Sequence, residues 1–281
     1  MSRILILSSW VAHGHVGLSA AVPVLQGLGH SVTQLPTVQL SNHPGWPHVA
    51  GRQVPPPEID AMIGALEANG WLGQCDTLLT GYLPSPGHVT IAADLVARLR
   101  AAGADPRVVV DPVLGDAPKG LYVDAGAAAA LRDGLVPLAD VLTPNAFELG
   151  WLSGTACGTL ENVRATAETL RGRTRGAEIL VTSPPLAPGA TGILALTAAG
   201  AEVLRAPLQD AGRVPNGPGD VFSALIAGGV PPGAALGQLG ALVAASLGAP
   251  HLRIAEAASS WRAAPPVAAE PIDRAPPGAL R

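Results

Sequence analysis

The sequence predicts an α/β protein built on a mostly parallel sheet with helices on both faces. Three observations lead there. Continuous apolar runs of strand length, clearest at residues 3–7 (R-I-L-I-L) and 107–111 (R-V-V-V-D), alternate with longer stretches of helical spacing, the pattern of strands buried on both faces. Hydrophobic residues make up 48% of the chain and aromatics only 3%, so Ala, Leu and Val fill the core rather than rings. At residues 3–28 a strand, a glycine-rich turn and a helix follow one another, and open α/β sheets bind ligands where strands end in such turns. At 281 residues the chain is long for one domain, yet large α/β sheets reach this size undivided. One domain over residues 1–262 is expected, followed by a Pro- and Ala-rich segment, 263–281, with too little apolar bulk to pack and therefore loosely ordered.

Taken in order, residues 3–7 give the first strand, and Ser8 and Ser9 mark its carboxyl end. There Ser9 can hydrogen-bond a substrate or satisfy loop backbone. Residues 18–28 read as a helix ending near Gly29, and 31–35 as a second strand. Residues 36–57 have little periodicity and mix His43, Trp46 and His48 with prolines. A loop this long is usually a lid or binding segment, and Trp46 either sits exposed on that lid or pins it to the core. Helices follow at 58–69 and 89–102, with a strand at 76–80 between them that ends at Gly81-Tyr82. The strand at 107–111 delivers Asp111 to the carboxyl edge, and Asp116 closes the loop P-V-L-G-D behind it. Two acids there repel a bare nucleotide but suit one carrying magnesium, a hard cation that takes carboxylates, waters and phosphate oxygens.

Residues 120–123 and a helix at 125–132 complete the next crossover. A short strand then ends at Thr143-Pro144-Asn145, and the Asn145-x-x-Glu148 spacing places both polar groups on the first turn of a helix. Glu148 is there either part of a site or only a favourable N-terminal charge for that helix. A helix at 161–171, a strand at 178–181 ending in Thr182-Ser183, and a hairpin from 191–196 and 202–206 follow, with the last helix at 232–247.

Between hairpin and last helix, residues 214–228 read V-P-N-G-P-G-D-V-F-S-A-L-I-A-G. Asn216, Gly217, Pro218 and Gly219 form a tight turn, and the apolar helix after it begins with free backbone N–H groups aimed back at the turn, a site that attracts phosphate. Asp220 at that start either caps the helix or accepts a proton from a hydroxyl attacking the phosphate.

Composition excludes other classes. With a net charge of -4, 16 Arg and one lysine, Lys119, there is no basic stripe to follow a nucleic acid. Cys75 and Cys157 make neither a disulfide framework nor a zinc site and fit a reducing cytoplasm. The first strand starts at residue 3 without a basic leader, and no apolar run approaches the roughly 18 residues of a membrane span, so a soluble cytoplasmic protein is expected.

From about residue 3 to residue 250 the chain resembles the pyridoxal kinases of the ribokinase-like superfamily. The resemblance rests on G-H-V-G (14–17), T-V-Q-L-S-N-H (37–43), G-Y (81–82), D-P-V-L-G-D (111–116), L-Y-V (121–123), L-T-P-N-A-F-E (142–148), V-T-S (181–183) and N-G-P-G-D (216–220), in matching order and spacing. It implies a three-layer ribokinase-like fold and ATP-dependent phosphorylation of the 5'-hydroxymethyl group of pyridoxal, pyridoxine and pyridoxamine, giving pyridoxal 5'-phosphate in salvage. By position, Asp220 matches the catalytic base and Asn216, Gly217, Pro218 and Gly219 the anion hole. Asp111, Thr143, Glu148, Thr182 and Ser183 match the ATP side. Asp111, Asn145 and Glu148 match the metal side, which implies Mg2+ and leaves place for a monovalent cation such as K+. Ser9, His43, Pro44, Tyr82 and Asp220 match the vitamer side, residues 36–57 a lid, and 115–123 a flap over ATP. A homodimer is implied, with no nucleic acid or membrane partner.

The chain departs from this pattern at two places. Pro218 stands where the G-x-G-D turn usually has Thr, Ala or Val, and it has no N–H to offer. Pro44 stands where a threonine often contacts the vitamer. Two alternatives therefore stand beside pyridoxal kinase: a hydroxymethylpyrimidine kinase of the same fold, and a non-catalytic vitamer- or nucleotide-binding protein.

Overall fold

Alternation within the apolar runs decides the layering. In β1 (Arg3–Val11), Leu5 and Leu7 join one buried cluster while Ile4 and Ile6 join another, and a strand near the middle of the sheet repeats the division with Val108 and Val110 against Val109. The computed structural model describes residues 1–272. After β1 come α1 (Leu18–Gly27), β2 (Ser31–Leu40), β3 (Gly51–Gln53), α2 (Pro56–Ala68), β4 (Thr77–Thr80), α3 (Pro86–Ala101) and β5 (Arg107–Val110). A small hairpin, β6 (Gly115–Asp116) and β7 (Gly120–Leu121), leads to α4 (Ala125–Ala130), β8 (Val141–Leu142), α5 (Ala146–Ser153), α6 (Leu160–Arg171) and β9 (Glu178–Thr182). The hairpin β10 (Ala190–Thr197) and β11 (Gly200–Pro207) precedes α7 (Pro218–Ala227), α8 (Pro232–Ser246), α9 (Ala258–Arg262) and β12 (Ala269–Pro271).

The main sheet runs β12-β11-β10-β9-β8-β5-β4-β1-β2-β3. Its middle, from β9 to β2, is parallel, and both ends are closed by antiparallel strands. Residues of α2 to α6 pack on one face and those of α1 and α7 to α9 on the other, which is the expected three-layer α/β arrangement. All parallel strands therefore end at one edge, where the crossover loops gather the polar residues.

The structure corrects the sequence reading in four places. The first strand does not stop at Leu7: Ser8 still pairs with Pro36 and Trp10 with Gln39, and the register shifts between them, so Ser9 sits at an irregularity within β1. The stretch at 36–57 is not one structureless loop. Residues 37–40 continue β2, β3 pairs back on it, and α2 begins at Pro56, leaving a tip at 41–50. Polar Ser8, Ser9, Thr37 and Gln39 break the apolar run without breaking the backbone ladder, so the run under-reports the strands.

The last helix is α9, past the one expected at 232–247. The expected loose tail also fails over residues 263–272, because β12 pairs with β11 and Val267 N–H bonds to the carbonyl of Gly233. A Cβ on Gly233 or Gly237 would strike the carbonyl oxygens of Val267 or Pro265, so glycines four apart on α8 let this segment lie against the helix through its backbone. Bulk was the wrong criterion for a contact made by main chain. The remainder of that expectation, 273–281, lies outside the described residues.

Candidate active site

The carboxyl ends of β1, β4, β5 and β8 meet the starts of α5 and α7. Asp111 follows β5 directly and is 8% exposed. The hydroxyl of Ser223, one turn into α7, donates to Asp111 Oδ2 at 2.8 Å and shares a hydrogen bond of 2.8 Å with Thr143 Oγ1 at the end of β8. Burial, then the charges of Glu148 and Asp220, raise the Asp111 pKa well above the ordinary carboxylate range, against the Ser223 hydrogen bond.

Glu148 is 4% exposed and organises the loop beside it. Its Oε1 accepts the N–H of Leu114 at 2.7 Å, and its Oε2 accepts that of Asn145 at 2.9 Å. Asn145 Oδ1 in turn accepts the Glu148 N–H at 2.9 Å, so the predicted Asn-x-x-Glu pair is a capping box on α5. The helix-start reading of Glu148 thus holds, and the same carboxylate also holds the loop behind Asp111. Burial pushes its pKa up to about 7 despite the N–H donors of Asn145, Leu114 and Gly115. Asn145 Nδ2 donates to the Gly115 carbonyl at 2.8 Å, so both ends of its amide are engaged within the protein. Asp116, in β6, has a buried Oδ1 without a hydrogen-bond partner.

At the anion turn the N-cap of α7 is Gly217, at φ 107°, and a Cβ there would lie 2.0 Å from the carbonyl oxygen of His15. Only glycine fits both the left-handed backbone and that approach. Pro218 is the first helical residue and Asp220 the third, so Asp220 is not the N-cap. The Gly17 N–H favours its charged form, but burial outweighs this and lifts the pKa to about 6. Asp220, Asp111, Ser223 and Gly17 line one small cavity together with Ser8 and Thr80.

The remaining predicted residues surround this floor. Ser9, half-buried on β1, approaches Gly17 so closely that a Cβ there would meet its Oγ at 2.2 Å. Tyr82 is half-buried, its N–H bonds to Ser8 Oγ, and its carbonyl accepts the Thr37 hydroxyl at 2.7 Å. Within the 41–50 tip, His43 Nδ1 accepts the Gly45 N–H at 3.0 Å, Pro44 is exposed, and Trp46 at 49% exposure does not pin the tip to the core. A Cβ on Gly45 would come within 4.0 Å of Asn216 Nδ2, which puts the tip beside the anion turn. Lys119, between β6 and β7, is near enough that its charge joins burial in lowering the His43 pKa. Thr182 and Ser183 end β9 beside Asn145, through a bridge between Thr182 and Asn145.

Three residues of this floor went unread in the sequence. Ser223 had a signal: it is the polar residue in the apolar run V-F-S-A-L-I-A, three positions after Asp220 and so on its face of the helix. Ser8 and Thr80 were read only as the ends of their strands, and nothing further in the sequence sets them apart.

Fold and site together define a small-molecule kinase of the ribokinase-like kind. A family model described as phosphomethylpyrimidine kinase matches residues 52–240. The chain is 40% identical over 229 residues to the pyridoxal kinase PdxY of Leifsonia xyli, covering 79% of each protein. It is 40% identical over 225 residues to a pyridoxine/pyridoxal/pyridoxamine kinase of Bordetella bronchiseptica, covering 79% of this chain and 78% of that one. The structure of the pyridoxal kinase from Leishmania donovani in complex with ADP and pyridoxine superposes with a TM-score of 0.88 at 29% identity, over 96% of this chain and 99% of that one. The chain belongs to the pyridoxal kinases. No helix among the described residues is long and apolar enough to cross a membrane, and Cys75 and Cys157 are free.

Proposed function

We propose that this protein transfers the terminal phosphoryl group of ATP to the 5'-hydroxymethyl group of pyridoxal, pyridoxine and pyridoxamine. The observation that carries the reading is the placing of Asp220: a carboxylate in the first turn of an anion-binding helix start, with a pKa lifted to about 6, near the working range of a general base. As the 5'-oxygen attacks, its bond to the γ-phosphorus forms, the bond from phosphorus to the β–γ bridging oxygen breaks, ADP leaves, and Asp220 takes the alcohol proton. The backbone N–H groups of Gly217, Gly219 and Asp220 face the transferring group, while Asn216 sits where the lid tip meets the turn. Ser9, His43, Pro44 and Tyr82 line the vitamer side, and Thr143, Thr182, Ser183 and the flap at 115–123 the nucleotide side.

Magnesium fits the residues present. Among the described residues no group of three or more His, Cys, Asp and Glu side chains is arranged to cage a metal ion. Mg2+ is ordinarily held by one or two carboxylates with phosphates and waters, and Asp111 with Glu148 provides two, with a partnerless Asp116 oxygen nearby. When bound, it neutralises charge on the ATP phosphates. Asn145 supports Glu148 and the Gly115 carbonyl rather than serving as a free ligand. A monovalent cation, a homodimer, a cytoplasmic location and one kinase domain, which takes in the 263–272 segment packed on β11 and α8, complete the proposal.

The description of the matching family model favours a second reading, a hydroxymethylpyrimidine kinase. Steady-state turnover with each of the three vitamers and with hydroxymethylpyrimidine, at saturating ATP and magnesium, separates the two. The vitamers are expected to be turned over. Turnover of the pyrimidine alone overturns the proposal, and turnover of none leaves the binding-protein alternative.

A further inference from the structure

We propose, resting on the kinase reading, that Thr80 is a positioning residue of the transfer: its hydroxyl holds one water between Asp111 and Asp220, and that water fixes the Asp220 carboxylate toward the substrate alcohol. Thr80 is the last residue of β4 and is 0% exposed. Its Oγ1 is buried and has no hydrogen-bond partner in the protein, an arrangement folded proteins avoid unless a water supplies the partner. The cavity that Thr80 lines has a volume of about 10 Å³, room for one water.

No polar group of the protein is hydrogen-bonded to the Thr80 hydroxyl. Ser223 Oγ is engaged by Asp111 and Thr143, and Ser8 Oγ accepts the Tyr82 N–H. The carboxylates of Asp111 and Asp220 remain as acceptors. A water has two donors and takes the Thr80 O–H on its own oxygen, so it satisfies all three groups at once: it accepts from Thr80 and donates to each carboxylate. Besides Ser8, Ser223 and the two carboxylates, the side chains of the wall are apolar, from Ile6, Ala21 and Leu79. Thr80 is also fixed on the main chain, where its carbonyl accepts the Asp111 N–H at 2.9 Å. Strand β4 therefore sets the water, and the water sets which Asp220 oxygen is free to meet the alcohol.

The opposing view is that Thr80 is a β-branched strand residue whose hydroxyl is a tolerated orphan. The two views give opposite results for Thr80→Val, which keeps the shape and removes the hydroxyl. If the water is held there, kcat with pyridoxal falls about tenfold, the size of one hydrogen bond to a charged group, while KM for pyridoxal and for ATP stays within about twofold. Thr80→Ser restores kcat, and the melting temperature of the valine variant does not rise. If the hydroxyl is an orphan, the valine variant keeps its kcat and melts higher, and the proposal is wrong. Equal losses in the serine and valine variants would assign the effect to packing and also overturn it. Should the valine variant not fold, a crystal structure of the wild-type protein decides: an ordered water within hydrogen-bonding distance of Thr80 Oγ1 and both carboxylates supports the proposal, and a dry cavity defeats it. That readout stands apart from the kinase reading, which wild-type turnover tests on its own.

Discussion

At the floor of the site, Asp111 and Glu148 are buried and held by named partners from three places: Ser223 on α7, and the N–H groups of Leu114 and Asn145 in the loops that follow β5 and β8. At the rim, Trp46 and Tyr122 are 49% and 45% exposed, and the 41–50 tip is held chiefly by itself, through Asn42 Nδ2 to the His48 carbonyl and the Ser41 N–H to the Ala50 carbonyl. Buried carboxylates resist ionisation, so the floor favours a positive charge, the demand that the proposed magnesium-bearing nucleotide would meet. The rim carries no such demand. Pro44, one of the two departures from the pyridoxal kinase pattern, lies at this rim and not among the buried carboxylates. Under the proposed function, reaction type is assigned to the floor and vitamer choice to the rim.

The sharpest way to break this division is Asp220→Asn. Since Gly217 is the N-cap, the substitution costs no side-chain cap, and kcat should fall about a hundredfold or more, the usual size of a general-base contribution. Pyridoxal binding, measured by calorimetry, should survive because the rim is untouched. Near-normal turnover would remove Asp220 from the chemistry.

Glu148→Gln tests the nucleotide half of the floor and should lower magnesium-dependent ATP use by about tenfold, with a smaller effect on pyridoxal affinity. An amide in place of the carboxylate turns its NH2 toward either the Asn145 or the Leu114 N–H, so a lower melting temperature is also expected. Unchanged magnesium dependence would leave Glu148 with its capping role alone.

The pH response sharpens the same contrast. Asp111, Asp220 and Glu148 have pKa values raised on folding, to about 6 for Asp220 and about 7 for Glu148. A raised acid adds stability that is fully present below its unfolded pKa, near 4, and is lost as pH rises through the folded value. The ligand-free protein should therefore lose this contribution between about pH 4 and pH 7. Asp220→Asn should gain in melting temperature relative to wild type from pH 5 to pH 8, and magnesium with an ATP analogue should stabilise wild type more at pH 8 than at pH 5.5. A wild-type-minus-variant difference that is flat with pH would show that Asp220 does not resist ionisation.

Much of the floor was legible because its signals are local. Asp111 ends an unbroken apolar strand, Asn145 and Glu148 keep capping-box spacing, and Asp220 follows a Gly-Pro-Gly turn. Apart from Ser223, what was missed depends on contacts across the fold. Thr80 stands out in no window of sequence and enters the proposal only because β4 sets it beside Asp111. The same holds for the 265–267 segment, which lies by backbone against Gly233 and Gly237, for β12, which pairs with β11, and for Ser8 and Ser9, whose polarity hid the continuation of β1.

The smallest expected effect lies where floor meets rim, at Pro218. It is the first residue of α7, where proline is favoured because that N–H has no partner within the helix and the fixed φ suits the helix start. Folding therefore gives no reason to avoid it. At an anion site, however, the first N–H is one of those that face the bound charge, and a missing donor can cost roughly 3 kcal/mol of transition-state stabilisation. Against this, the ring stiffens the turn and holds the N–H groups of Gly217, Gly219 and Asp220 in place, and donors already in position need no rearrangement during transfer. The donor should outweigh the stiffness, so Pro218→Thr should raise kcat with pyridoxal severalfold while pyridoxal affinity, set at the rim, stays unchanged and the melting temperature falls slightly. Steady-state comparison under saturating ATP and magnesium checks this. A threonine variant that is equally active or slower would mean that the remaining N–H groups already suffice, and that the floor needs a rigid turn more than another donor.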